Sequence, residues 1–480
     1  MLHNKLGDFD VIEDSAVEQD STVFVLVREN RTGNKALAVT GDTAGFDGQI
    51  HADSGALICP LSSANANALR QRLSWLRPVP LGLKTSVGFG DRLGIATPGH
   101  VASVRGATAA PIFAQQSVRE NTRTGRTPQQ VMDDAMWGVF QAGWREPWGA
   151  DADHMKLVTD IDPFVDAGYT FFTIDPGDYV DDAAETASDE TLRTKVRGLP
   201  WDELESSPDA LRQQFPQRVA LDGLTLDFDE HTIFKAAAKY ARAVAHTARM
   251  ARHLRERKGE APFDLEMSVD ETNTTTTLQE HLYIASELKR LGVGLESLAP
   301  RFVGRFEKGV DYIGDLDELD RNIAGHAAVM RHFGNTYKLS VHTGSDKFGV
   351  YPLALKHTGG LAHVKTAGTS YLEALRVMAV VKPDLFRTVL DFARGRYERD
   401  RVTYHVSAQL EKVPASSKLS DAQLPDLLNQ FDARQVLHVT FGSVLDTYGD
   451  QLRAMLKEHE SEYRDAIKAH FDRHLAAFRK

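Results

Sequence analysis

Three histidines, three carboxylates and a lysine fall at or near the C-terminal ends of short extended runs: His154, His342 and His363, Asp153, Asp175 and Glu266, and Lys365. In DLEMSVDE, Leu265, Met267 and Val269 alternate with Asp264, Glu266, Ser268 and Asp270. Successive side chains of a strand point to opposite faces. If the apolar set packs outward, Glu266 turns inward. The same parity turns His342 inward in KLSVHTGSD, His363 and Lys365 inward in LAHVKTAG, and Thr173 and Asp175 inward in FFTIDPGD. Asp153 and His154 lie at the tip of ADADHMK, where a relaxing pleat lets both reach one opening. Charges and imidazoles converging in an interior are costly unless paired, hydrogen-bonded or metal-bound. Mixed imidazole and carboxylate sets suit manganese, zinc, nickel or iron. A divalent metal with open coordination positions would act there as a Lewis acid or activate water.

Each residue also has a plainer reading. A histidine at a strand end is more often a hydrogen-bonding core residue than a ligand, and Glu266 could simply pair with Lys365 or Arg301. It is the convergence of three inward histidines on separate strands that favours a metal. His438 is expected to be structural, and His246, His281, His326 and His332 fall in helical stretches and need no function.

The elements that would carry these residues repeat. Eight extended runs are expected at Lys84–Phe89, Pro111–Gln116, Gly149–His154, Thr170–Asp175, Phe263–Val269, Ser297–Val303, Lys338–Thr343 and Leu361–Thr366. Helical periodicity marks Pro128–Gln141, Phe234–Leu254, Leu278–Leu291, Leu316–Phe333 and Tyr371–Val380. Eight such units imply an α/β fold, a TIM (β/α)8 barrel over residues 81–400, with an open doubly wound sheet as the alternative. Residues 1–80 read as a small α+β unit. Residues 178–229, acidic and broken by prolines, read as an insertion above the barrel mouth, either a lid or a surface excursion. Residues 401–480 read as a C-terminal extension, with β-like runs at Val402–Leu410 and Val436–Val444 and one long helix over Asp450–Phe478.

Composition narrows the function classes. A chain of 480 residues with net charge −11 has no general attraction for nucleic acid or anionic lipid. A single cysteine, Cys59, excludes an intramolecular disulfide and a thiolate zinc cluster. The start MLHNKLGDFD lacks the apolar core of an export signal, and no apolar run has the length of a membrane span, so a cytoplasmic location is the default expectation. A homo-oligomer is left open. Among weaker motifs, GFGDRLG matches neither the dinucleotide fingerprint nor Walker A, and is read as the turn after the first strand, with Asp91 and Arg92 near the mouth. Arg119, Arg123 and Arg126 in RENTRTGRTP are candidates for an anionic group, and GSDK would bring Asp346 or Lys347 near it.

Eight ordered stretches carry a resemblance: FAQQSVRENTRTGRTP, WGADADHMK, FTIDPGDYV, SVDET, EKGVDYIGDL, LSVHTGSDKFGVYP, GGLAHVKTAGTSYLEA and VLHVTFGSVL. Spanning Val79–Leu445, they resemble the tagaturonate/fructuronate epimerases. The resemblance implies a metal-dependent isomerase interconverting D-tagaturonate and D-fructuronate, with Asp153 as proton acceptor, Glu266 as proton donor, and His154 and His342 as metal ligands. The third ligand does not transfer from the family, and His363 is chosen for it from its inward face. Substrate contacts are expected from Gln116, Arg119, Asp175, Lys347 and Lys365. Neutral ketohexoses such as fructose and tagatose would suit the same site. A metal-dependent aldolase or lyase on sugar acids is the alternative. A metallohydrolase ranks behind it because TSVGFGD lacks the usual paired histidines, and a sugar-binding protein ranks last.

Overall fold

The computed structural model describes residues 6–366 and 368–479. Residues 1–5, where the export-signal reading begins, and Ala367, within GGLAHVKTAG, lie outside the described residues.

The N-terminal unit is an antiparallel sheet of β1 (Phe9–Gln19), β2 (Thr22–Glu29), β3 (Lys35–Thr40), β4 (Gln49–Ile50) and β5 (Leu57–Pro60), in the order β1-β2-β3-β5-β4. The run VFVLV of β2 is apolar without alternation because both faces are covered. Val25 and Val27 join Leu6, Ala38 and Ala56 on one side, while Phe24 and Leu26 join the main core on the other.

The barrel follows. Its strands are β6 (Ser86–Phe89), β7 (Ala110–Ser117), β8 (Gly149–Met155) and β9 (Phe171–Ile174). A hairpin of β10 (Arg218–Leu221) and β11 (Leu224–Asp227) intervenes before β12 (Asp264–Ser268), β13 (Ser297–Ala299), β14 (Lys338–Val341) and β15 (Ala362–Thr366). The strands run parallel, and β9 pairs with β12 to close the ring, which rules out the open sheet. All eight expected strands are present. β13 is shorter than expected because Pro300 follows Ala299 and has no amide to donate to a ladder. Residues 178–229 fold as a compact insertion. Leu192, Val196 and Leu211, from helices Asp189–Arg197 and Pro208–Gln214, are buried with Phe234 and Ala237 of helix Glu230–Lys258 in the main core.

The C-terminal extension differs from expectation. Val402–Leu410 forms no strand, and Val436–Val444 is helical, within Phe431–Val439 and Phe441–Glu458. Val436, Leu437, Val439, Phe441 and Val444 are all buried, and a short apolar run buried all round has no periodicity to separate helix from strand. The long terminal helix is broken at His459 (φ −119°, ψ 43°), and Glu460–Leu475 continues as a separate helix. This helix lies so close to helix Thr97–Val104 that a Cβ on Gly99 would stand 2.6 Å from Ile467. No helix of the described residues is long and apolar enough to cross a membrane.

Candidate active site and metal centre

The site begins with a break in strand regularity. His154 has φ +50°, a left-handed conformation uncommon for a residue with a Cβ. The β8–β9 register shifts between Ala152 and Met155 at the same place. Such an irregularity re-aims side chains. Here it brings Asp153 and His154, neighbours that a regular strand would point apart, to a common hollow. On the opposite wall His342 follows the end of β14, and Thr343 after it is also left-handed, at φ +48°.

Lys365, on β15, is the hub of the inner layer. Its Nζ lies 2.9 Å from Asp151 Oδ2, 2.7 Å from Asp153 Oδ1 and 2.9 Å from Glu266 Oε1, and touches Thr173 Oγ1. Burial works against the ammonium, but the three carboxylates hold its pKa above the ordinary value. Burial would raise the Asp153 carboxyl, yet Lys365, His154 and His342 hold it below the usual range. Glu266 is depressed against burial by Lys365 and His342. Asp151 carries the deficit: burial first, and then Asp153 and Glu266, push it up despite Lys365. A single lysine does not balance three buried carboxylates.

Above this layer two imidazoles face each other. His342 Nε2 lies 2.6 Å from Glu266 Oε1, and His154 Nδ1 lies 3.3 Å from Asp175 Oδ2. If those nitrogens carry the protons, the lone pairs of His342 Nδ1 and His154 Nε2 are left 3.2 Å apart. Asp270 Oδ1 is 3.2 Å from the same His342 nitrogen. Two lone pairs and a carboxylate converging on one point repel unless positive charge lies between them. The protein's own charges favour that: although burial lowers it, Asp153, Asp175 and Glu271 push His154 up to about 10. Ligand atoms of His154, Asp270 and His342 all lie within 4.8 Å of one another. Carboxylates hydrogen-bonded to the far nitrogens are the usual support for histidine ligands. The donor set fits a divalent cation.

A cavity of roughly 300 Å³ opens beside this group, bounded by Asp270, Arg301, Lys308, His342 and Tyr404. It adjoins the smaller hollow that holds Asp153, His154 and Lys365. A second opening of roughly 340 Å³ lies between Arg119, His154, Asp175 and Glu271.

Of the residues singled out in the sequence, Asp153, His154, Glu266, His342 and Lys365 come together. Asp175 acts through His154, and its Oδ1 accepts from the Gly177 amide at 2.9 Å. Arg119 reaches the opening. His363 does not join the ligand group. In the β14–β15 register it sits beside Ser340, a layer below His342, with its Nδ1 2.9 Å from Ser86 Oγ. Its parity is inward as read, but its height is wrong. Lys347 is also misplaced as a substrate contact, because its Nζ donates to the carbonyls of Glu307, Ser345 and Val310. Gln116 is occupied too: its Nε2 donates to Thr124 Oγ1 at 2.9 Å, and its Oε1 accepts from Arg126 at 3.1 Å. Lys365 faces inward as read, but three carboxylates consume it. Asp91 caps the Leu93, Gly94 and Ala96 amides, while Arg92 borders the hollow, paired with Glu120 at 2.6 Å. His438 borders the same hollow. The sequence reading missed Asp151, Asp270, Glu271, Lys308 and Tyr404. The first shares inward parity with Asp153 and could have been found that way; the second was on the face of Glu266 but was given no role. The last three come from loops, which have no parity.

The family model for the UxaE tagaturonate epimerases matches residues 12–478. A tagaturonate/fructuronate epimerase of Thermotoga maritima is 42% identical over 475 residues, which cover 97% of this chain and 96% of that protein. Among solved structures, the native fructuronate-tagaturonate epimerase UxaE of Cohnella laeviribosi superposes with a TM-score of 0.92 at 35% identity, covering 99% of this chain and 98% of that one. Its complex with one glycerol gives a TM-score of 0.92 at 36% identity, covering 98% and 97%. With the match running through both flanking units as well as the barrel, this chain belongs to the tagaturonate epimerase family.

Proposed function

We propose that this protein is a metal-dependent epimerase interconverting D-tagaturonate and D-fructuronate. The observation that carries the reading is the pairing of Asp153 and Glu266 through Lys365, directly beside the ligand group His154, Asp270 and His342.

The two ketouronates differ at the carbon one beyond the α-carbon of the ketone, so enolisation at the α-carbon does not invert it. Retro-aldol cleavage does. Asp153 removes the proton from the hydroxyl on that carbon. The O–H electrons form the new aldehyde C=O, the carbon–carbon bond to the α-carbon breaks, and its electron pair becomes the enediolate of the ketone half. A divalent cation held by His154, His342 and Asp270 would supply Lewis-acid stabilisation of the oxyanion that develops. The aldehyde half turns over and is attacked on its other face. The proton that Asp153 has taken passes by way of Lys365 to Glu266, which is ionised at the start, and Glu266 returns it to the new alkoxide. Its Oε2 has no hydrogen-bond partner among the described residues. Lys365 touches both carboxylates, so a proton can pass between them and reset the site. Arg119 binds the substrate's carboxylate at the rim.

The test is NMR of purified, EDTA-stripped protein incubated with D-fructuronate, with and without manganese, zinc, nickel or iron. Metal-dependent appearance of tagaturonate is expected. Asp153→Asn should slow it by about 10²–10⁴-fold, the usual worth of a general base. Net release of two fragments would make the protein an aldolase instead. No conversion with any metal would reject the reading.

A further inference from the structure

Glu271 stands beside the ligand Asp270 with its carboxylate turned toward two cations. Its Oε1 lies 3.2 Å from Arg119 Nη2 and 4.0 Å from Lys308 Nζ. Neither contact has the short geometry of a committed charge-assisted pair, about 2.7–2.9 Å. The three side chains are 26%, 34% and 23% exposed for Glu271, Arg119 and Lys308, and they meet where the cavities join. Glu271 borders both large openings, Lys308 borders one of them and the inner hollow, and Arg119 borders the other and the same hollow.

Most neighbouring cations are otherwise engaged: Arg301 on the wall of the first opening donates to the Asp270 carbonyl at 2.9 Å, and Lys156 beside the second pairs with Asp178 at 3.2 Å. Lys365 holds three carboxylates, Arg92 holds Glu120, and Arg123 donates to Thr403 and Tyr404. Arg119 has donor capacity to spare, since its Nε is buried without a hydrogen-bond partner among the described residues. Tyr404 lies under its guanidinium, 5.2 Å from ring centre to Cζ, a cation–π contact that leaves its N–H donors free. Among the described residues Lys308 is anchored by Thr343 Oγ1 at 2.9 Å and the distant Glu271. Two cations thus share one loosely held carboxylate at the edge of an acidic centre. The turn that follows Glu271 is held independently, because Asp182 of the insertion accepts from the Asn273 amide at 3.0 Å and from Thr274 Oγ1 at 2.8 Å. Only the Glu271 side chain has to turn.

We propose that Glu271 is an internal stand-in that occupies the subsite of the substrate's carboxylate, and that Arg119 and Lys308 together read that carboxylate once Glu271 swings aside. This rests on the uronate reading above and adds its specificity determinants. A sugar acid displaces Glu271 by replacing one carboxylate with another. A neutral ketose has nothing to offer the two cations, and Glu271 stays.

The experiment compares kcat/KM for D-fructuronate and for D-fructose in wild type, Lys308→Met and Glu271→Gln, each checked for an unchanged melting temperature. Inhibition of fructuronate turnover by D-glycerate and by glycerol gives the same contrast without requiring ketose turnover. Lys308→Met is expected to lose about tenfold to hundredfold on the uronate, the range for a hydrogen bond to a charged group, and its loss on the ketose should be at least tenfold smaller. It should likewise weaken D-glycerate but not glycerol. Glu271→Gln is expected to lower KM for the uronate and tighten D-glycerate. Equal losses on acid and neutral ligands, or weaker acid binding in Glu271→Gln, would overturn the proposal. Those outcomes leave the epimerase reading standing if wild type converts fructuronate. Failure of wild type to do so removes both.

Discussion

Among the described residues two clusters of histidine and aspartate stand out, one at the barrel mouth and one behind it. His154, Asp270 and His342 form the first, and Asp346, His470 and His474 the second, and in each the ligand atoms lie within 4.8 Å of one another. They differ in how their nitrogens are used. In the rear cluster His474 Nε2 accepts from the Asp346 amide at 2.9 Å, and its Nδ1 lies 3.2 Å from the His470 carbonyl. Asp346 Oδ2 is held by Arg434 at 2.6 Å, and His470 Nδ1 faces Glu373 at 3.3 Å, so that His470 Nε2, 3.4 Å from Asp346 Oδ1, is the one imidazole nitrogen here without a hydrogen-bond partner among the described residues. A guanidinium already supplies the charge the carboxylate needs. At the mouth, by contrast, carboxylates take the outer nitrogens and the inner ones are left facing each other. The same residue types thus form a latch in one place and a candidate metal centre in the other. Placement of the supporting groups makes the difference.

The comparison can be broken most directly by counting metal. The protein should bind one divalent ion per chain, measured by elemental analysis after dialysis, and His342→Ala should lose both that ion and turnover while remaining folded. Two equivalents, with the second lost in His474→Ala, would make the rear cluster a metal site too. A smaller effect is expected from Asp346→Ala. It leaves Arg434 buried without its carboxylate, and breaking such a pair costs about 3–5 kcal/mol, read by denaturant unfolding. Activity per folded molecule and the metal count should change far less, unless the loop after β14 also loses its hold on His342.

The smallest effect is in pH. Burial lowers His470 to about 4 and His474 to about 3, from an ordinary 6.5. Their folded values lie below the unfolded one, so below pH 6.5 the unfolded chain binds protons the fold refuses. Stability contributed by neutral histidines is therefore full above 6.5 and declines as pH falls toward 4 and then 3. Melting temperature should fall across pH 6.5 to 4, and His470→Gln with His474→Gln should flatten that slope. An unchanged slope would detach the rear cluster from acid unfolding.

Much of this was legible in the sequence because a strand has a period of two. Apolar residues at Leu265, Met267 and Val269 fixed Glu266 inward, and the same count placed His342 and Lys365. Parity does not give height along the barrel axis. His363 and His342 both face inward, yet the stagger of β14 against β15 sets His363 beside Ser340 and lifts Lys365 to the level of His342. Asp270 joins the candidate ligand group for the same reason: it lies beyond the end of β12, at the level of the mouth. Val436–Val444 misled for another reason, since burial on all sides erases the periodicity that distinguishes helix from strand.

The sequence by itself determined the eight βα units, the inward carboxylates and imidazoles, and the family, because these are properties of local pattern and of ordered motifs. Only the tertiary structure decided which inward residues meet. Closure of the ring sets strand stagger, a left-handed residue at His154 turns two neighbours to one face, and loops distant in the chain bring Glu271 and Lys308 to the same edge. Ring closure and the meeting of distant loops join residues far apart in the chain and leave no local trace, whereas the turn at His154 is local and the strand tip ADADHMK already pointed to it.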